Sequence, residues 1–260
     1  MIPPSVASPD DLLQFHTRSY LDVISKCARG TPVSAGTLSR HGLEDVRSNE
    51  IAPSSTASPR TSASPAGDRS PPPAPHTDGG RHHARAGSAA GFCYVNDVAL
   101  CVQTLLATHV RVLVLDVDIH HGDAMDAAFR NDARVLPVSI HHASPGFYPG
   151  TGAVDEGVWD PTGERPASVN VPIGTGCGDE TYCAGAQLAR WTVTPVAIVH
   201  AVRVVRRELA RVTGEQGELV ILGGGGYHHA NTARTWAHVT AACLNDVVLP
   251  STVPDHAFAM

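Results

Sequence analysis

The sequence predicts an α/β fold with a central, mostly parallel sheet, and three observations carry that expectation. Arg111 to Val117 (RVLVLDV) and Glu218 to Leu222 (ELVIL) are nearly continuous aliphatic runs, as expected of strands covered on both faces. From Gly79 onward such runs alternate with helical ones, the order that lays helices on both faces of one sheet. Polar clusters follow the strand-like runs directly, where chemistry collects in folds of this kind.

Taken along the chain, Asp10 to Ala28 carries Leu12, Phe15, Tyr20, Val23 and Ile24 at mixed helical spacings and predicts one or two short helices. From Ser48 to Thr77 the chain becomes Pro/Ser/Ala-rich, with Ile51 as its one large aliphatic residue. Such a tract cannot repay its ordering entropy by burial, so a disordered linker is expected, with polyproline II favoured at PPPAP. Asn96 to His109 then reads as a helix, with Val98, Cys101, Val102, Leu105 and Leu106 on its apolar side. The Arg111 strand follows, then a short helix from Asp123 to Arg130, a strand from Arg134 to Ile140 and a short strand at Ser168 to Val171. Thr194-Pro195, a hydroxyl cap before a first-turn proline, starts a helix that runs to Val212. The ELVIL strand ends in Gly223 to Gly226, and Asn231 to about Leu249 again reads as helix. The expected organisation is an N-terminal part (residues 1–47), the Pro/Ser-rich tract (48–78) and a core α/β domain (79–260).

A chain of 260 residues and 27.2 kDa supports one substantial core, with two small domains as the upper limit. Its 19 Lys+Arg against 25 Asp+Glu give a net charge of −6, which argues against direct, backbone-driven DNA binding. An acidic balance suits a cationic substrate or a protein tail instead. The six cysteines form no CxxC pair, no secretory apolar segment follows Met1, and no apolar run approaches the ~20 residues of a membrane span. A reducing, soluble compartment is therefore expected, without a membrane partner.

The strongest local signal is Asp116-Val117-Asp118-Ile119-His120-His121-Gly122-Asp123, where an apolar strand finishes in Asp-x-Asp-x-His. While strand geometry lasts, Asp116, Asp118 and His120 point the same way, and Asp118 and His120 can converge on one ion. Three polar groups at the end of a buried strand are costly without partners or a metal; the plain alternative is a capped strand end. Gly79-Gly80-Arg81-His82-His83 places two imidazoles after a glycine pair, in a loop that approaches a site or in an ordinary exposed loop. A neutral imidazole can take a proton from water, and Asp116 and Asp123 are available to fix its tautomer. Gly223 to Gly226 followed by Tyr227 is not a phosphate loop, because no GxxxxGK[ST] pattern is present. Tyr227 can instead donate to a developing oxyanion, or simply pack. Phe92 and Tyr148, in GFCY and SPGFYPG, can flank a narrow apolar passage or serve as ordinary anchors.

In this order, GGRHHA, GFCYVND, DVDIHHGD, SPGFYPGTG, VNVPI, DETY, LGGGGYHHANTARTW and VPDHAF resemble the zinc-dependent histone deacetylase family, close to its class I branch. The resemblance is dense from Gly79 to Glu180 and from Thr194 to Phe258, and thinner from Phe15 to Val46. It implies one arginase-like, three-layer α/β domain, here incomplete. It further implies Asp118 and His120 as two of three zinc ligands, and His82 and His83 as tandem catalytic histidines. Asp116 is then oriented toward His82 and Asp123 toward His83, with Tyr227 stabilising the oxyanion. Gly91, Phe92 and Tyr148 line an acyl-lysine tunnel. Asp116, Asp118, His120, Ser139 and Ile140 resemble a buried monovalent-cation site for K+. The implied reaction is Zn2+-dependent hydrolysis of N-acetyl-lysine in histone tails or other proteins, alongside corepressor proteins in the nucleus or the cytoplasm.

Two departures qualify that expectation. The family has a further strand between Tyr182 and Thr194, ending in a Gln-x-Gly-x-Asp type sequence whose aspartate is the third zinc ligand. Here CAGAQLARWTVTP occupies that place, with no Asp or Glu between Thr181 and Pro195, and nothing in the spacing selects Asp179, Glu180, His228 or His229 as a substitute. The Ser48 to Thr77 tract likewise replaces family helices and a strand. Besides an active deacetylase, the sequence therefore admits a catalytically silent scaffold or mis-spliced product, and an amidohydrolase of acetylpolyamines or other small amides.

Overall fold

The computed structural model describes residues 5–44, 57–58, 76–77, 79–159, 167–176, 178, 195–214, 218–226, 229–244 and 249. They fall in two compact units, one formed by Met1–Thr175 with Val220–Gly225 and the other by Gly176–Leu219 with Gly226–Met260.

The first unit opens with β1 (Ser5–Val6), α1 (Pro9–Leu12), α2 (Arg18–Ala28) and α3 (Ala35–Arg40). Each helix starts on a hydroxyl cap: Ser8, Thr17 and Ser34 accept from the backbone N–H three residues on. Tyr20, Val23 and Leu43 are buried together, and the Tyr20 hydroxyl donates to the Tyr94 carbonyl at 2.8 Å. Within the tract expected to be an unpaired linker, β2 (Ala57–Ser58) pairs antiparallel with β1, and β3 (His76–Thr77) pairs parallel with β7 (Ile221–Leu222). Backbone hydrogen bonding does not need apolar side chains, so composition alone did not reveal these pairings; the rest of the tract lies outside the described residues.

The central elements follow as α4 (Asp97–Leu106), β4 (Val112–Asp116), α5 (Asp123–Phe129), β5 (Val135–His142) and β6 (Val169–Ile173). The three strands form a parallel sheet in the order β4-β5-β6, in the register Asp116↔Ser139 and Ile140↔Val171. Pro137 is tolerated in the middle strand because β6 pairs only from Val138 onward, leaving the missing N–H outside that ladder. Ala99 and Val102 of α4, Val112 of β4, Met125 and Phe129 of α5 and Val135 of β5 make the core beneath the strand ends. One sequence expectation fails here. β4 is an edge strand among the described residues, and its Leu113 is 56% exposed, so the aliphatic run is not covered on both faces.

In the second unit, α6 (Pro195–Thr213) packs against α7 (His229–Cys243), and the Arg206 guanidinium donates to the Ala242 carbonyl near the end of α7. The region from Tyr182 to Thr194, where the family strand was missed, lies outside the described residues.

Candidate active site

The strand ends and one loop converge as the sequence predicts, with assignments that spacing alone left open. The carboxylate of Asp116, last residue of β4, lies 2.5 Å from His82 Nδ1, and that of Asp123, first residue of α5, lies 2.7 Å from His83 Nδ1. An ionised carboxylate only accepts, so each Nδ1 donates and each Nε2 is left for chemistry. The two rings lie 4.0 Å apart, centroid to centroid. Burial opposes charge on His82, but Asp116 in contact and Asp118 and Asp123 nearby raise its pKa to about 9. Burial also works against ionised Asp116 and Asp123; His82 for the first, and His83 with Arg85 for the second, hold both below the usual carboxylate range.

Past β4 the chain leaves strand geometry, so Asp118 and His120 are aligned by local hydrogen bonds rather than by pleat. Asp116 Oδ1 accepts the Asp118 N–H at 3.0 Å, and Asp118 Oδ1 accepts the His120 N–H at 2.8 Å. Asp118 Oδ1 and His120 Nδ1 end 3.0 Å apart, at hydrogen-bond distance, whereas two donors about 2.1 Å from one tetrahedral ion would stand about 3.4 Å apart. His83 lies close by, its ring centroid 5.8 Å from that of His120. A Cβ on Gly225 would sit 2.8 Å from Asp118 Oδ2, so the glycine run does approach this carboxylate. Tyr227 itself lies outside the described residues.

Of the expected tunnel residues, Tyr148 meets the His83 ring edge-on at 5.0 Å, and a Cβ on Gly91 would strike that ring at 2.4 Å. Phe92 projects outward, 81% exposed with φ +61°, in the left-handed region that residues other than glycine rarely adopt. Asp116 and Ser139 are register partners, which brings the expected monovalent-cation residues Asp116, Asp118, His120, Ser139 and Ile140 to one end of the sheet. There Ser139 Oγ accepts the Gly122 N–H at 3.2 Å.

Several residues of the site had no separate signal in the sequence. Phe147 stacks on His120 at 5.1 Å with the rings 9° from parallel. Arg85 donates to Asp123 Oδ2 at 2.6 Å, leaving Oδ1 to His83. His121 and His141, rings 4.7 Å apart, tie the far end of the aromatic loop through Thr151 Oγ1 at 2.9 Å and the Gly152 carbonyl at 3.0 Å. Asn96 and Asp97 stand at the start of the expected helix and close the GFCYVND segment, and neither place marks the bonds both make to the histidine loop. Only contacts across 12 to 17 residues reveal them.

Residues 1–187 match the family model described as the histone deacetylase domain. Histone deacetylase 8 of Danio rerio is 33% identical over 292 aligned residues, covering 99% of this chain and 74% of the relative. Histone deacetylase 8 of Xenopus tropicalis is 35% identical over 290, covering 99% and 76%. The chain belongs to the histone deacetylase family. A crystal structure of an HDAC homolog complexed with SAHA superposes with a TM-score of 0.75 at 22% identity, covering 95% of this chain and 73% of that one, and shows the shared α/β fold. An alignment of 292 positions for a chain of 260 residues means that this histone deacetylase relative carries residues opposite gaps here. The match to the deacetylase domain stops at Gln187, inside the acid-free stretch between Thr181 and Pro195.

Family membership implies zinc, so the donors are the test. Catalytic zinc takes three protein ligands and a water. Asp118 and His120 supply two converging donors, and among the described residues no group of three His, Cys, Asp or Glu is placed to hold a metal ion. The described donor set does not fit a catalytic zinc ion.

Proposed function

We propose that this chain is a catalytically silent, deacetylase-like protein, one that keeps the family fold and both imidazole–carboxylate pairs without a full set of zinc donors. The observation that carries this reading is that Asp118 and His120 are the two donors among the described residues, in a sequence with no acid between Thr181 and Pro195. A transcript lacking the segment for one strand and its aspartate would produce such a chain, consistent with the gapped alignment to its relatives. The test is zinc titration of the metal-stripped full chain, with bound metal counted after dialysis. Less than stoichiometric retention, and no hydrolysis of an acetyl-lysine peptide, is expected. One tightly held zinc per chain, together with hydrolysis, would overturn the reading.

The second reading is an active amidohydrolase of N-acetyl-lysine in histone tails or other proteins, and the two short His–carboxylate pairs favour it. In that case His83, its Nδ1 held by Asp123, is the general base, and charged His82 is the proton donor to the leaving amine. Phe92 and Tyr148 then flank the acyl-lysine, Tyr227 holds the oxyanion, and K+ occupies the site at Asp116 and Ser139. Corepressor partners and a nuclear location belong to this reading, and acetylpolyamine substrates are its small-molecule variant. Profiling acetylated peptides against acetylpolyamines separates the two substrate classes.

A further inference from the structure

We infer that Asn96 and Asp97, at the N-terminus of α4, are positioning residues that pin the backbone on both sides of the His82–His83 pair. Asp97 Oδ2 accepts the N–H of Gly80 and Oδ1 that of Arg81, both at 2.8 Å, immediately before the pair. Asn96 Nδ2 donates to the Ala84 carbonyl at 2.8 Å, immediately after it. The same asparagine caps α4, its Oδ1 accepting from Ala99 at 2.8 Å, and its own N–H is accepted by His16 Nε2 at 3.0 Å. One helix start therefore holds both flanks of the loop, while Asp116 and Asp123 hold the two rings at Nδ1.

The energetics support a dedicated device. Asp97 is 6% exposed, and a buried carboxylate is tolerated only with strong partners; two charge-assisted N–H bonds and a place in the first turn of a helix supply them. The loop is held from the other side as well, because Gly80 packs on the glycine run: a Cβ there would fall 1.6 Å from the Gly223 carbonyl oxygen. A side-chain hydrogen bond orients an imidazole only if the backbone carrying it is fixed, to within about 0.5 Å for a working site.

This inference rests on the two imidazole–carboxylate pairs that the proposed reading keeps, though not on the metal. The experiment follows the ring N–H resonances of both histidines in the full chain labelled with 15N-histidine, assigned by their loss in His82→Gln and His83→Gln. Asp97→Asn is expected to displace or abolish both signals, while Val102→Ala, a core cavity in the same helix, lowers the melting temperature and leaves them in place. Unmoved signals in Asp97→Asn, or equal displacement by Val102→Ala, would overturn the inference. If Asp97→Asn does not fold, Asn96→Ser, which keeps a capping hydroxyl and loses the link to Ala84, carries the same comparison with the same overturning results. The zinc titration reads the donor set alone, so either idea can fail without the other.

Discussion

A buried imidazole that accepts a hydrogen bond has to stay neutral, and His16 is held in that state: Nε2 takes the Asn96 N–H, and burial lowers its pKa to about 4. The unfolded chain, with an ordinary value near 6.5, binds the proton more readily, so this contribution is complete above pH 6.5 and is lost as pH falls toward 4. His121 and His141, also lowered by burial, act in the same direction. His82 acts oppositely: its pKa is raised to about 9, so its contribution is complete below pH 6.5 and is lost as pH rises through 9. Urea unfolding should therefore show stability falling on both sides of neutrality. His16→Gln, which keeps an acceptor, is expected to flatten the acid limb by up to about 1.4 kcal/mol per pH unit. An acid limb unchanged in that variant would show that His16 is not a source of it.

At the scale of elements, β4 shows how position in a sheet reverses the meaning of an apolar residue. Val112 is packed in the core, whereas Leu113 stands exposed on a strand that is at the sheet edge among the described residues. Leu113→Lys is expected to change stability by less than about 0.5 kcal/mol and to reduce self-association in light scattering, since lysine protects open edges. Val112→Lys, placing a charge in the core, should be strongly destabilising in the same urea series. The contact between Gly80 and Gly223 gives a sharper prediction: Gly80→Ala has neither the φ nor the space it needs, so soluble yield should collapse while Gly36→Ala, where a Cβ meets nothing within 4 Å, is tolerated.

For the molecule as a whole, binding and stability are linked, so an incomplete donor set has a thermal signature. A ligand that binds the folded state at 100 times its Kd adds about 2.7 kcal/mol. Zinc at concentrations that saturate a three-ligand site is expected to leave the melting temperature where EDTA leaves it. A clear zinc-dependent rise, reversed by EDTA, would show that the chain completes its site with residues other than Asp118 and His120.

The sequence by itself determined the central elements and the polar run at the strand end, because periodicity, caps and the Asp-x-Asp-x-His spacing act within a few residues of one another. α4, β4, α5 and β5 fall within three residues of the expected bounds, and His82, His83, Asp116, Asp118, His120 and Asp123 do converge. Tertiary structure decided what depends on distant partners. It set Asn96 and Asp97 against the histidine loop and paired His76–Thr77 with Ile221–Leu222, neither of which the sequence marked. Among the described residues it also left β4 on the edge of its sheet. An aliphatic run records that a strand forms, but the neighbours that cover it come from elsewhere in the chain, and only their packing decides which face meets water.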